Sequence, residues 1–323
     1  MTPTRKALPP SRPETAPDLS IEVGPLRLSN PVMVASGTFG ALMDTVLDVS
    51  KLGAVVEKTV TRRPRKGNPP PRVWETPSGM LNSIGLENYG LEGWIKKRYP
   101  EVKDYPCALV VSVSGETVEE YGELVAAIDR LPRVDAFELN ISCPNVSHGL
   151  DHATDPAATE RVVRIARKAT RRPLFAKLTP NVTDIVAVAT AAMEGGADGL
   201  SLVNTLKGIA IDWRKRAPAL GAVTGGLSGP AIKPVALRMV WEVCGKLPKA
   251  PVIGIGGISN ADDALEYIVA GARAVQVGTA NFVDAQAGQK MVDALRERLA
   301  SAGVKRLEEL VGTVRRAGPV GGD

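Results

Sequence analysis

The sequence predicts a (β/α)₈ barrel, an α/β fold in which eight parallel strands close on themselves inside a ring of helices. Three observations lead there. Eight short, β-branched apolar runs punctuate the chain of 323 residues. Amphipathic helical patterns fall between most of them. The runs also lack the polar alternation of a half-exposed sheet, which suits strands covered on both faces. An open doubly wound sheet would carry a G-x-G-x-x-G turn after its first strand, and PVMVA is followed by none.

The strands are expected at PVMVA (31–35), GAVVEK (53–58), ALVVSV (108–113), DAFELNI (135–141), PLFAKL (173–178), DGLSLVN (198–204), PVIGIGG (251–257) and ARAVQVG (272–278). ETVEEYGELVAAIDRL opens with acidic residues at its positive dipole end. In DPAATERVVRIARKAT, Asp155 is a natural N-cap and Pro156 suits the first helical position. NVTDIVAVATAAMEGG ends on glycine, as a C-cap would. GPAIKPVALRMVWEVCGKL, SNADDALEYIVAGA and DAQAGQKMVDALRERLA complete the helices, with Pro234 early enough in its helix to be tolerated. The longer interruptions 59–90 and 205–229 both follow strand ends, where this fold places lids and ligand walls. The barrel is expected over 21–312, with flexible ends at 1–20 and 313–323.

Composition narrows the function. A net charge of +5 with five tyrosines and four phenylalanines offers few stacking platforms for nucleic acid. It fits an anionic small ligand as well. Three scattered cysteines, at 107, 143 and 244, form no disulfide framework and no C-x-x-C metal motif, so a reducing cytoplasm is expected. No apolar run reaches the roughly 20 residues needed to span a bilayer.

In a barrel, the polar residues closing each strand converge on one mouth. Here they are Ser36 and Gly37, Lys58 and Thr59, Ser112, Asn140, Lys177, Asn204 and Thr205, Gly256 and Gly257, and Gly278 and Thr279. Two buried ammonium groups are costly without anionic partners, so Lys58 and Lys177 point to an anionic ligand. Glycines closing the seventh and eighth strands free backbone amides at the usual phosphate site of this fold. Tight turns alone would also explain them.

These segments resemble those of class 1 dihydroorotate dehydrogenases, and most of all the class 1B catalytic subunit. The resemblance is carried by NPVMVASGTFG, EKT, NSIGLEN, ELNISCPNVSHG, KLTPNVTDI, NTLKG, TGGLSGPAIKPVALR, GIGGI and VGTANF, in order from about residue 21 to 300. It implies an FMN-bearing barrel that oxidises (S)-dihydroorotate to orotate in pyrimidine biosynthesis. FMN would be contacted by Ser36, Gly37, Lys58, Thr59, Asn140, Lys177, Val203 and Gly229, with Gly256, Gly257, Gly278 and Thr279 on its phosphate. The substrate would be held by Lys58, Asn82, Ser83, Ile84, Gly85, Leu86, Asn140, Asn145, Asn204 and Thr205. Cys143, just past the fourth strand, would be the general base that takes the C5 proton. A lone cysteine after an apolar run is more often packing, which is how Cys107 and Cys244 are read. His148 and His152 have no metal-ligand companions and read as loop residues. The sequence departs from the family where the third strand often ends in asparagine near the flavin, since it has Ser112.

Class 1B membership further implies a homodimer of catalytic chains joined to a partner subunit that carries FAD and a 2Fe–2S cluster and reduces NAD⁺. Three scattered cysteines cannot hold such a cluster in this chain. Other readings are a fumarate-linked class 1A enzyme or a dihydropyrimidine dehydrogenase-like barrel acting on uracil or thymine. A non-enzymatic phosphate-ligand or nucleic-acid module would draw on the basic segment RRPRKGNPPPR (62–72), otherwise read as a mobile loop at the entrance.

Overall fold

A computed structural model describes residues 16–40, 43–141 and 154–315. All eight expected strands form: β1 (Val32–Val34), β2 (Ala54–Val56), β3 (Ala108–Val113), β4 (Ala136–Asn140), β5 (Leu174–Leu178), β6 (Gly199–Leu202), β7 (Val252–Ile255) and β8 (Ala274–Val277). They are parallel and pair in sequence order, and β8 closes on β1 through Gln276 opposite Met33. Helices follow β2 to β8 and two short 3₁₀ turns follow β1, which makes this a (β/α)₈ barrel.

The helices start where side chains can satisfy their unpaired amides. Thr117 accepts from Glu120 N, Asp155 from Ala157 N, Asp184 from Val186 N and Ala187 N, and Asn260 from Asp263 N. Outward-facing strand residues such as Val55, Val111, Leu139 and Val275 pack under the helices. Inward-facing Met33, Val56, Val110, Phe175 and Ile253 form a second apolar cluster with Ile21, Val23, Leu26 and Leu28. Those last four belong to a hairpin, Ile21–Val23 paired with Leu26–Leu28. Its turn residue Gly24 sits against Asp198, just before β6, so the hairpin plugs the N-terminal end of the barrel.

Two features go beyond the sequence expectations. The interruptions after β2 and β6 join into one four-stranded antiparallel sheet, ordered Leu206–Ile209, Thr224–Ser228, Gly79–Asn82 and Val73–Thr76. Residues Gly90–Val102 are helical, a run whose glycines and Pro100 hide its periodicity in the sequence. The basic segment 62–72 is tied down: Arg62 pairs with Glu123, Arg65 with Glu116 and Arg72 with Glu87. The mobile entrance loop expected there is thus anchored along its length. At the N-terminal side, Leu19 is buried and Asp18 N donates to Lys305 O at 2.9 Å.

One buried ion pair fastens the helical run to the barrel. Glu57, next to Lys58, accepts from Arg98 Nη2 at 3.1 Å and Trp94 Nε1 at 3.3 Å. Burial raises its carboxyl above the ordinary value, against the opposing pull of Arg98. Arg98→Met strands this carboxylate and should cost about 3–5 kcal/mol of stability. The stranded folded-state carboxyl binds its proton more tightly than the unfolded chain does. The loss should therefore grow as pH rises through and above the ordinary carboxylate range. Denaturant unfolding of the variant across that range checks both the size and the sign.

Candidate active site

A cavity of about 930 Å³ opens at the C-terminal end of the strands. Its floor is built from strand ends, and its roof from the extra sheet. Of the described candidates, Ser36, Gly37, Lys58, Thr59, Asn82, Ile84, Gly85, Leu86, Asn140, Lys177, Val203, Asn204, Thr205, Gly229, Gly256, Gly257, Gly278 and Thr279 all line it. Residues remote in sequence meet there because parallel strands deliver all their C-terminal ends to one face.

Ser83 does not line the cavity. Extended backbone sends alternate side chains to opposite sides, so Asn82 and Ile84 face the ligand space while Ser83 turns behind them. It is buried and accepts from Asn68 Nδ2 at 2.9 Å, with its amide on Arg72 O at 2.7 Å. Ser83 thus braces the Asn82–Leu86 loop from behind, where the sequence reading put it among the substrate contacts. Ser112 is likewise fully buried and shares a 2.9 Å hydrogen bond with Thr59 Oγ1. Cys143 and Asn145, with His148 and His152, lie outside the described residues.

Thr59 is the hub of the floor. Its hydroxyl meets Ser36 Oγ at 3.2 Å and Ser112 Oγ at 2.9 Å, and accepts from Asn140 Nδ2 at 3.1 Å. Asn204 Nδ2 donates to Asn140 Oδ1 at 3.3 Å, and Asn204 Oδ1 accepts from Thr205 N at 2.8 Å. This relay sets the orientation of both amides, and Asn82 is held by a 3.3 Å bond to Gly226 O. An amide-rich pocket arranged this way suits a flat ring with several polar edges, each of which needs a partner once buried.

The opposite end is glycine-lined. Gly229 has φ 93°, and a Cβ there would lie 2.8 Å from Gly79 Cα. Gly257 has φ 68°, and a Cβ would meet the Lys233 side chain at 2.7 Å. Side chains are therefore excluded where the helix Lys233–Lys246 begins, and backbone lines the cavity instead. Thr279 Oγ1 donates to Ser228 Oγ at 2.8 Å, adding hydroxyls to the same end. Ser228, Gln276 and the hairpin residues Glu75, Thr76, Ser78, Gly79 and Met80 also line the cavity and were not anticipated.

Beneath the cavity, Lys177 Nζ lies 3.2 Å from Glu138 Oε1, both buried. Lys58 Nζ comes close to Gly37, where a Cβ would lie 3.3 Å away. Two lysines thus share one concave site, as the strand-end pattern predicted. Burial raises the Cys107 thiol to about 11 and the Cys244 thiol to about 12, so neither is a thiolate near neutral pH. Among the described residues no group of acidic, histidine or cysteine side chains could hold a metal ion, and no helix is long and apolar enough to cross a membrane.

Comparison with known proteins agrees with this architecture. The family model described as dihydroorotate dehydrogenase matches residues 18–299. A protein of Geotalea daltonii named dihydroorotate dehydrogenase B (NAD(+)), catalytic subunit, is 51% identical over 302 residues, covering 93% of this chain and 99% of its own length. A protein of the same name from Geotalea uraniireducens is 52% identical over 92% of this chain and 98% of its own. One from Geobacter sulfurreducens is 49% identical, with the same two coverages. This chain belongs to the dihydroorotate dehydrogenase family.

Proposed function

We propose that this chain is an FMN-bearing catalytic subunit that oxidises (S)-dihydroorotate to orotate in pyrimidine biosynthesis. Its electrons would pass to NAD⁺ through a partner subunit. The observation that carries this reading is the meeting of two strand-end lysines, an amide relay and a glycine-lined end in one cavity. FMN fits three features of that cavity. The glycines at 229, 256 and 257 admit no side chain and so put bare backbone on the cavity wall, where a phosphate can approach. Lys177 offers positive charge on the floor. Gln276 Oε1 is a buried acceptor with no partner among the described atoms, which an N–H of the ring can satisfy.

The bound FMN would supply the hydride acceptor for C6 of the substrate. Everything else falls to the chain. Lys58 holds the substrate carboxylate, and Asn82, Asn140, Asn145, Asn204 and Thr205 pair with the edges of its ring. The roof sheet shields the bound ring from water. The Cys143 thiolate removes the C5 proton as hydride leaves C6, so a C5–C6 double bond forms and the thiol carries the proton away. Cys143 is the base that the family resemblance implies, and Cys107 and Cys244 do not line the cavity. Asn140 closes β4 at the floor of the cavity, three residues before Cys143.

The names of the relatives favour NAD⁺ over fumarate as final acceptor, and the phrase "catalytic subunit" favours a second chain. An FAD and 2Fe–2S partner assembled with a dimer of this chain accounts for the electron route. Lys58, lining the same cavity as Asn82, Ile84, Gly85 and Leu86, favours a substrate bearing a carboxylate over dihydrouracil.

The purified chain should be yellow and should bleach when dihydroorotate is added without oxygen, whereas dihydrouracil should leave the spectrum unchanged. A colourless chain, or bleaching by dihydrouracil alone, would overturn the reading. Cys143→Ser should keep the flavin spectrum but slow its reduction near neutral pH by about 10²–10⁴-fold, with partial recovery at high pH. Stopped-flow absorbance measures that rate. Lys58→Met removes one charge-assisted hydrogen bond, worth about 1.5–3 kcal/mol, and should weaken orotate binding by about tenfold to a hundredfold. Titration of the flavin spectrum with orotate measures the change.

A further inference from the structure

Four polar side chains from four different strands meet inside the barrel, below the floor of the cavity. At their centre is Glu138 of β4, fully buried and outside the cavity lining. Its Oε1 accepts from Lys177 Nζ of β5 at 3.2 Å. Its Oε2 accepts from Ser201 Oγ of β6 at 2.9 Å and from Gln276 Nε2 of β8 at 2.6 Å. A carboxylate this deep is tolerated because it is paired and multiply hydrogen-bonded.

Two of its partners, Lys177 and Gln276, do line the cavity. The Gln276 amide can point only one way, because reversing it would set its oxygen against the carboxylate. Its Nε2 is therefore committed to Glu138, and its Oε1 is left buried without a partner. Lys177 is similarly tethered from below by the same carboxylate. One buried group thus fixes how far the ammonium reaches into the cavity and which atom of the amide is offered there.

We propose that Glu138 is a positioning residue that sets the reduction potential of the bound flavin by tethering Lys177 and orienting Gln276. This rests on the flavin reading above. A reduced flavin ring carries more negative charge than an oxidised one, so a nearer, uncompensated ammonium favours reduction. Glu138 holds that ammonium back and offsets its charge. Losing the carboxylate makes the ring easier to reduce.

The test is spectroelectrochemical titration of the full chain loaded with FMN. In Glu138→Gln the equilibrium should shift toward reduced flavin by at least tenfold, about 30 mV for a two-electron couple. In a Lys177→Met background the same substitution should shift it far less. A purely structural role would not move the potential of a flavin that stays bound. Glu138→Asp keeps the charge but shortens the reach by one methylene, and serves if Glu138→Gln does not fold. Its potential should rise in the same direction by a smaller amount. A wild-type potential in a flavin-loaded Glu138 variant, or an equal shift with and without Lys177, overturns this inference while leaving the flavin reading intact. A wild-type chain that binds no flavin overturns both.

Discussion

Cationic nitrogen inside an apolar barrel is the constraint on which the rest of the structure depends. Lys58 and Lys177 both line a cavity that sits above the apolar interior of the barrel. Their solvation has to be replaced, or the fold would reject them. Lys177 finds replacement below, in Glu138, which in turn draws Ser201 and Gln276 into an internal polar layer. Above, both lysines line the ligand space. The barrel is thus divided along its axis. Apolar packing and the N-terminal hairpin fill the lower end, and polar groups take over where strands approach the mouth.

That division explains how one scaffold can be both stable and reactive. The aliphatic end depends on packing that tolerates no voids. The polar end depends on directed hydrogen bonds, each with a donor and an acceptor assigned. Thr59, touching Ser36, Ser112 and Asn140, ties three further strand ends into one relay. Because every amide in that relay has its orientation dictated by a neighbour, the floor is preorganised before any ligand arrives.

Much of this was legible in the sequence, for reasons that can be stated residue by residue. Strand runs such as ALVVSV and PLFAKL announce themselves by β-branched density, and their final polar residues follow from barrel topology. The lysines stood out because charge within such a run is expensive. Glu138, Ser201 and Gln276 were harder to see, since each is a single polar residue between apolar neighbours. Their signal was alternation: in AFELN, GLSL and AVQV the polar residue occupies an inward position, two residues from another. The place of the Ser83 side chain was hidden for the converse reason, as its motif suggests a contact while its hydroxyl is bonded to Asn68. The roof was invisible because β-sheet pairing between segments more than a hundred residues apart leaves no local periodicity. The helical run Gly90–Val102 was hidden by its own glycines and proline.

The roof sheet carries a consequence for how this protein can diverge. Met80, Leu81 and Asn82 from one interruption are in register with Ser228, Leu227 and Gly226 from the other. A one-residue insertion in either strand would shift that register and turn its side chains to the opposite face. In the Gly79–Asn82 strand, that would turn Asn82 out of the ligand space even though the partner strand was untouched. The two interruptions are therefore bound to vary in concert. Length changes are best accommodated at the outer turns, such as the Ile211–Pro218 hairpin, where nothing across the sheet must follow.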